Sequence, residues 1–207
     1  MELGKERTAL IVVDMQNGFC THEGSMAKLG FDVDRLMAAI PGCERLAAAA
    51  REAGVRVIYT QYVYQDGVAD GGVVVDEIFP ALRDVNLCVE GTWDAEIIES
   101  MKPQKGDFIV KKNRPSAFYS TSLESYLRST KVENVVICGV TTNMCVETTA
   151  RDASQRDYRT FVVSDATGEV EQDRYDVALK SLGFLFARVM TVNEVLDSWG
   201  VELSNVA

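Results

Sequence analysis

The stretch VENVVIC at Val132–Cys138, followed by the helical pattern of Thr142–Arg156, indicates how this chain folds. The first part is a short run rich in β-branched residues that does not alternate between apolar and polar positions. Such runs are typical of strands that are buried on both faces within a parallel sheet. The same kind of run occurs at five other places: Thr8–Val13, Val55–Thr60, Phe108–Val110, Thr160–Val163 and Ala187–Val192.

Helical patterns lie between most of these predicted strands. One extends from Pro41 to Glu52, with Gly54 as its C-terminal cap, and others cover Ser120–Arg128 and Gln172–Leu182. Strands that alternate with helices are joined by right-handed crossovers. The sequence therefore predicts an α/β fold, a three-layer α/β/α sandwich with a mostly parallel six-stranded sheet.

Composition and charge limit the classes of partner. The 207 residues are 47% hydrophobic and 25% charged, which fits a single domain over residues 1–207. A net charge of −10 disfavours nucleic acid and anionic membranes as partners. The first strongly apolar run, Ala9–Val13, is too short for a signal segment or a membrane span. The five cysteines form no CxxC pair, which favours reduced thiols in the cytoplasm.

Three chemically distinct side chains follow separate predicted strands. Asp14 comes after the first strand, Lys112 after the third, and Cys145 after the fourth, at the start of a helix. Ligands of open parallel sheets bind at the carboxyl ends of the strands, so these residues are candidates for a nucleophilic site. Taken singly, Asp14 could cap a helix, Lys112 could be a surface residue and Cys145 a core residue. Their occurrence together carries the hypothesis.

Three motifs resemble the signatures of the isochorismatase-like cysteine hydrolases. They are IVVDMQNGF (Ile11–Phe19), VKKNRPSAF (Val110–Phe118) and GVTTNMCVETTARDA (Gly139–Ala153), and the resemblance extends over about residues 8–200. It implies that Cys145 attacks an amide carbon, that Asp14 moves the proton, and that Lys112 holds charge between them. The spacing to Ser116 selects Lys112 over Lys111.

The resemblance also implies finer features of the site. A cis peptide bond is expected between Val140 and Thr141, with the backbone N–H groups of Thr141 and Cys145 as an oxyanion hole. Lys112 and the helix N-terminus are expected to lower the pKa of the Cys145 thiol.

Several other residues are candidates for substrate binding. Phe19, Tyr62, Trp93 and Phe118 offer apolar or aromatic walls, and each is also open to interpretation as an ordinary core residue. Gln16 and Arg114 can form hydrogen bonds to a substrate amide or carboxylate. Arg114 is open to a second interpretation as a surface or subunit-contact residue.

The histidine content separates branches of the family. Nicotinamidases of this family have a zinc site with paired histidines, whereas this chain has one histidine, His22, interpreted as a loop residue. The branch that cleaves isochorismate lacks the nucleophilic cysteine.

The single histidine and the presence of Cys145 both favour a hydrolase without metal or cofactor that acts on a small amide or ureido substrate. Hydrolysis of a nicotinamide-like heteroaryl carboxamide and a non-catalytic α/β binding protein remain as alternatives. A homodimer or homotetramer is expected, with the irregular segment Tyr62–Met101 as a lid or subunit contact.

Overall fold

The computed structural model describes residues 3–201, so both ends of the predicted 1–207 domain lie outside the description. Six strands form one sheet: β1 Thr8–Val13, β2 Arg56–Tyr62, β3 Phe108–Lys112, β4 Asn134–Val140, β5 Arg159–Gly168 and β6 Arg188–Met190. Their order is β3-β2-β1-β4-β5-β6, and each neighbouring pair is parallel. The predicted six-stranded α/β architecture is confirmed.

The longer helices connect these strands. The α-helices are α1 Asn17–Cys20, α2 Ser25–Lys28, α3 Asp34–Met37, α4 Ile40–Ala53, α5 Ala81–Asp84, α6 Leu123–Ser129, α7 Glu147–Ser154, α8 Gln172–Ser181 and α9 Val192–Trp199. Turns of 3-10 helix occur at Asp66–Val68, Trp93–Ala95 and Glu99–Met101, and turns of π-helix at Val74–Ile78, Thr142–Val146 and Leu182–Phe186.

The strand order places helices on both faces of the sheet. The connection from β1 to β2 and the connection from β4 to β5 run in opposite directions across the sheet. Right-handed crossovers therefore put α4 and α7 on opposite faces. Pro41 lies in the first turn of α4, and Gly54 caps its end with a φ of 75°. Helix α4 packs against α9 and the sheet, as expected for one outer layer.

The strand order also creates a crevice. The chain leaves β1 toward β2 on one side and leaves the adjacent β4 toward β5 on the other side. Open parallel sheets bind ligands at such a topological switch point. Both strands are buried along their whole length. They approach so closely that a Cβ atom on Gly139, where φ is +110°, would lie 2.1 Å from the Val13 carbonyl oxygen. Glycine at this position allows the two strand ends to meet.

Some element boundaries differ from the predictions. Strand β5 continues to Gly168, well past the predicted Val163, because polar residues interrupt its apolar run without ending its pairing to β4. The predicted helix Thr142–Arg156 is a π-helical turn followed by α7. Strand β3 extends through Lys112. Within residues 3–201, the helices are too short or too polar to traverse a lipid bilayer.

Candidate active site

Asp14, Lys112 and Cys145 meet at the carboxyl edge of the sheet. The Lys112 Nζ atom lies 2.7 Å from Asp14 Oδ2 and 3.4 Å from Cys145 Sγ. The side chains of Asp14 and Lys112 have no solvent-exposed surface. The structure therefore brings together the three residues that the motifs single out, in one buried cluster at the β1–β4 crevice.

The backbone and a neighbouring strand orient Asp14. Its φ of 50° is left-handed, a conformation that aspartate tolerates better than most residues, and it turns the chain sharply after β1. The Thr60 hydroxyl on β2 donates to Asp14 Oδ1 over 2.5 Å and accepts from the Asp14 backbone N–H over 3.1 Å. One carboxylate oxygen thus bonds to Thr60, and the other faces Lys112.

Lys112 is held by three contacts besides its ion pair with Asp14. Its ammonium donates to the Arg114 carbonyl over 3.1 Å and to the Cys145 sulfur, and it lies 4.3 Å from the centroid of the Tyr62 ring. Burial alone would lower the pKa of Lys112, but Asp14 and Cys145 outweigh it, so the net pKa is raised. The neighbouring Lys111 instead extends toward solvent and pairs with Glu90 over 2.5 Å.

Cys145 lies in the π-helical turn Thr142–Val146, a type of irregularity that often accompanies functional sites. Burial raises the pKa of its thiol to about 12; Lys112 opposes this rise, and Asp14 adds to it. The predicted lowering of the thiol pKa is therefore wrong. The sequence shows a cation nearby, but it does not show that the thiol loses its contact with water.

A cavity of about 230 Å³ opens beside Cys145. Aromatic and aliphatic side chains form most of its wall. The lining residues are Phe19, Met26, Phe31, Tyr62, Tyr64, Val74, Ile78, Phe79, Leu82, Leu87, Pro115, Thr141, Met144, Glu169, Val170 and Arg174. Small-molecule sites are typically apolar recesses with a few polar groups, and this cavity has that character.

Phe19 and Tyr62 lie where a substrate-binding role requires. Both line the cavity, and their rings pack edge to face with centroids 6.3 Å apart. Gln16 does not line it. Its side chain donates to the carbonyls of Tyr62 and Ala95 and accepts from the Tyr62 N–H. These bonds tie the segment after β1 to β2 and to the turn at Ala95, so the structure does not place Gln16 on the cavity wall.

Three further candidates also lie away from the cavity. The Arg114 guanidinium donates to the carbonyls of Asp70 and Asn113. Phe118 packs against Tyr158. Trp93 is 49% exposed in a surface turn. The structure does not support the predicted substrate contacts of Arg114, Phe118 and Trp93, because aromatic or charged character does not show which way a side chain points.

The peptide bond between Val140 and Thr141 is cis, and Thr141 lines the cavity beside Cys145.

The buried carboxylate of Glu169 accepts hydrogen bonds from the backbone N–H groups of Asn143 and Val170, each over 2.9 Å. Burial raises the pKa of Glu169, while these two bonds act in the opposite direction. Glu169 thereby ties the end of β5 to the turn that carries Cys145.

His22 contacts Asp34 over 2.7 Å, and both side chains are largely exposed. Across residues 3–201, histidine, cysteine and acidic side chains form no group of three that could hold a metal ion.

Sequence reasoning missed Thr60 and the apolar wall between Val74 and Leu87. Thr60 follows Tyr59, which pairs with Val12 across the strands, so the register between β1 and β2 would have placed it beside Asp14. The wall residues have no motif. They lie in short, irregular turns whose packing depends on the rest of the fold.

The structure thus places a buried cysteine, lysine and aspartate at the switch point of a three-layer α/β fold. The chain matches the Isochorismatase domain family over residues 8–194. It is 34% identical over 204 residues to the ureidoacrylate amidohydrolase RutB of Agrobacterium fabrum, covering 93% of this chain and 90% of that protein.

Solved structures agree with this assignment. A cysteine hydrolase from Pseudomonas syringae pv. phaseolicola has a TM-score of 0.87 and 32% identity, covering 97% of this chain and 95% of that one. N-carbamoylsarcosine amidase from Thermoplasma acidophilum has a TM-score of 0.74 and 26% identity, covering 93% and 98%. The chain belongs to the isochorismatase family. The prediction of an amidohydrolase acting on C–N bonds other than peptide bonds is confirmed.

Proposed function

We propose that this chain hydrolyses the C–N bond of a small amide or ureido compound through a thioester acyl-enzyme on Cys145. The observation that carries the proposal is the buried contact of Asp14, Lys112 and Cys145 beside an apolar cavity. A thiol nucleophile, a carboxylate base and a fixed positive charge are the groups that nucleophilic cleavage of an amide requires.

The first half of the reaction forms the acyl-enzyme. Because burial raises the pKa of the Cys145 thiol, its proton passes to Asp14 as the sulfur attacks the carbonyl carbon. The tetrahedral intermediate carries a negative oxygen, and the backbone N–H groups of Thr141 and Cys145 are our candidates to stabilise it. Asp14 then gives the proton to the leaving nitrogen, the C–N bond breaks, and ammonia or an amine departs.

The second half restores the thiol. Asp14, again a carboxylate, takes a proton from water, and the hydroxide attacks the thioester carbon. The C–S bond breaks, the acid product leaves, and the proton returns to sulfur. Lys112 keeps its positive charge throughout and stabilises whichever partner, Asp14 or the sulfur, carries the negative charge.

The relatives support the choice of bond. Two of them are named for a ureido compound and an N-carbamoyl compound, and both kinds of substrate contain a carbonyl carbon bonded to nitrogen. A second candidate, hydrolysis of a heteroaryl carboxamide by the same thiol, is favoured by the aromatic rings of Phe19, Tyr62 and Tyr64 on the cavity wall.

Ammonia release from a panel of amides and ureides tests the proposal. We expect Cys145→Ala to abolish turnover with an unchanged circular dichroism spectrum, because no other group at this position can form the thioester. Cys43→Ala is the matched control: this thiol is also buried, but it lies in α4 and contacts the Ala166 carbonyl. Full activity in Cys145→Ala, or no activity of the wild-type protein on any amide or ureide, would refute the proposal.

We also propose that the enzyme is a cytoplasmic homodimer or homotetramer. All five cysteines are free thiols, as a reducing compartment requires. Phe184 and Leu185 are 87% and 71% exposed beside one another, and contact with a second subunit would cover them. Light scattering should give a multiple of the 22.8 kDa chain mass, and a monomer at high concentration would contradict this assembly.

A further inference from the structure

The cavity beside Cys145 is apolar to a degree that restricts its ligands. Phe31 and Phe79 pack edge to face on its wall, with ring centroids 6.2 Å apart. Leu82 and Leu87 are buried next to them. A substrate body inside this cavity therefore meets carbon atoms on most sides, and apolar surface is what gains most from burial there.

The few charged groups of the wall are unsuited to an anion. Glu169 is an acidic wall residue with 2% exposure. Arg174 is the cation among the described wall residues, and its Nε already pairs with Glu171 over 3.0 Å. Arg114, the cation expected to bind a carboxylate, bonds instead to the carbonyls of Asp70 and Asn113.

Building on the proposed function, we propose that the natural substrate is a neutral amide or urea whose remaining body is apolar. Compounds that carry a carboxylate on that body are poor substrates. A buried carboxylate without a cationic partner loses its hydration and gains nothing in return, and Glu169 adds repulsion. The cavity of about 230 Å³ also keeps the body smaller than a drug-sized ligand.

Matched pairs of probes test this specificity. Hexanamide and adipic acid monoamide differ only in a terminal methyl against a carboxylate, and propylurea and β-ureidopropionate form a second such pair. We expect kcat/KM to be at least ~100-fold higher for the neutral member of each pair that is turned over, because desolvating an unpaired charge is expensive. A carboxylate-bearing member that reacts equally well or faster would overturn the proposal.

Binding separates a failure of this inference from a failure of the proposed chemistry. Calorimetric titration of the same pairs into Cys145→Ala protein requires no turnover. Tighter binding of the neutral members supports the inference even if the wild-type enzyme hydrolyses none of the four compounds, a result that would count only against the proposed reaction. Equal or tighter binding of the anionic members, or no binding of either neutral compound, would overturn the inference of a neutral, apolar substrate.

Three variants sharpen the test. Ile78 lines the cavity and is 72% exposed, whereas Val73, which precedes the same π-helical turn, is 57% exposed and lies outside the lining. Ile78→Arg should improve the relative kcat/KM of the anionic probes by ~10-fold by supplying a cation, and Val73→Arg should leave the ratio unchanged. Arg174→Gln should change the ratio less than about twofold, because its charge is already paired. A selective loss of the anionic probes in Arg174→Gln would identify Arg174 as a carboxylate ligand and refute the proposal.

Discussion

Replacing Lys112 with methionine removes one charge from the buried cluster and keeps most of the side-chain volume. The side chains of Lys112 and Asp14 are both fully buried, so the Asp14 carboxylate would lose its cationic partner without gaining water. Breaking a buried ion pair in this way typically costs about 3–5 kcal/mol of unfolding free energy. The Thr60 hydroxyl would still bond to Asp14 Oδ1, which places the expected loss toward the lower part of that range.

The same change should lower kcat/KM by at least ~100-fold, since the positive charge that stabilises the carboxylate and the sulfur anion is gone. Denaturant unfolding measures the first effect, and ammonia release measures the second. Lys111→Met is the matched control: the Lys111 side chain is 59% exposed, and its ammonium pairs with Glu90 at the surface. We expect it to alter stability by about 1 kcal/mol or less. Near wild-type activity in Lys112→Met, with loss of activity in Lys111→Met, would refute this assignment.

Three further predictions concern the same cluster. Because burial raises the Cys145 pKa to about 12, the rate of its alkylation by iodoacetamide in the free enzyme should still be rising above about pH 9; a plateau reached near about pH 7 would show that the thiolate already exists there. Thr60→Val removes the hydroxyl bonded to Asp14 and should cost about 1–3 kcal/mol of stability, measured by denaturant unfolding, and ~10-fold in kcat; unchanged values would remove Thr60 from the site. Exhaustive chelation should leave ammonia release intact, since the chain has one histidine. Loss of activity on chelation, restored by added zinc, would contradict the metal-free assignment.

The sequence allowed prediction of the sheet and the cluster because both depend on local signals. Buried parallel strands are continuous apolar runs, and the six predicted runs correspond to the six strands of the structure. Asp14, Lys112 and Cys145 lie at or just beyond strand ends, and parallel topology brings strand ends to one edge. Their meeting thus followed from chain positions that can be counted in the sequence.

The lining of the cavity could not be predicted in the same way. Gln16 and Arg114 are polar residues within the motifs, yet their side chains donate hydrogen bonds to backbone carbonyls. Side-chain direction in a turn depends on partners that are distant in the chain, such as Ala95 for Gln16. The prediction of a lowered Cys145 pKa failed for a related reason. Burial of the thiol results from the whole fold, whereas the nearby charge of Lys112 is visible in a motif.

Trapping the acyl-enzyme tests the central claim most directly. Wild-type protein mixed with a substrate that it hydrolyses, quenched in acid within the first turnovers and digested, should yield the peptide containing Cys145 with the added mass of the acyl group. The adduct should disappear on treatment with hydroxylamine, which cleaves thioesters, and should be missing from Cys145→Ala protein. An actively hydrolysing enzyme with no adduct in rapidly quenched samples, or with the adduct on another residue, would contradict the account.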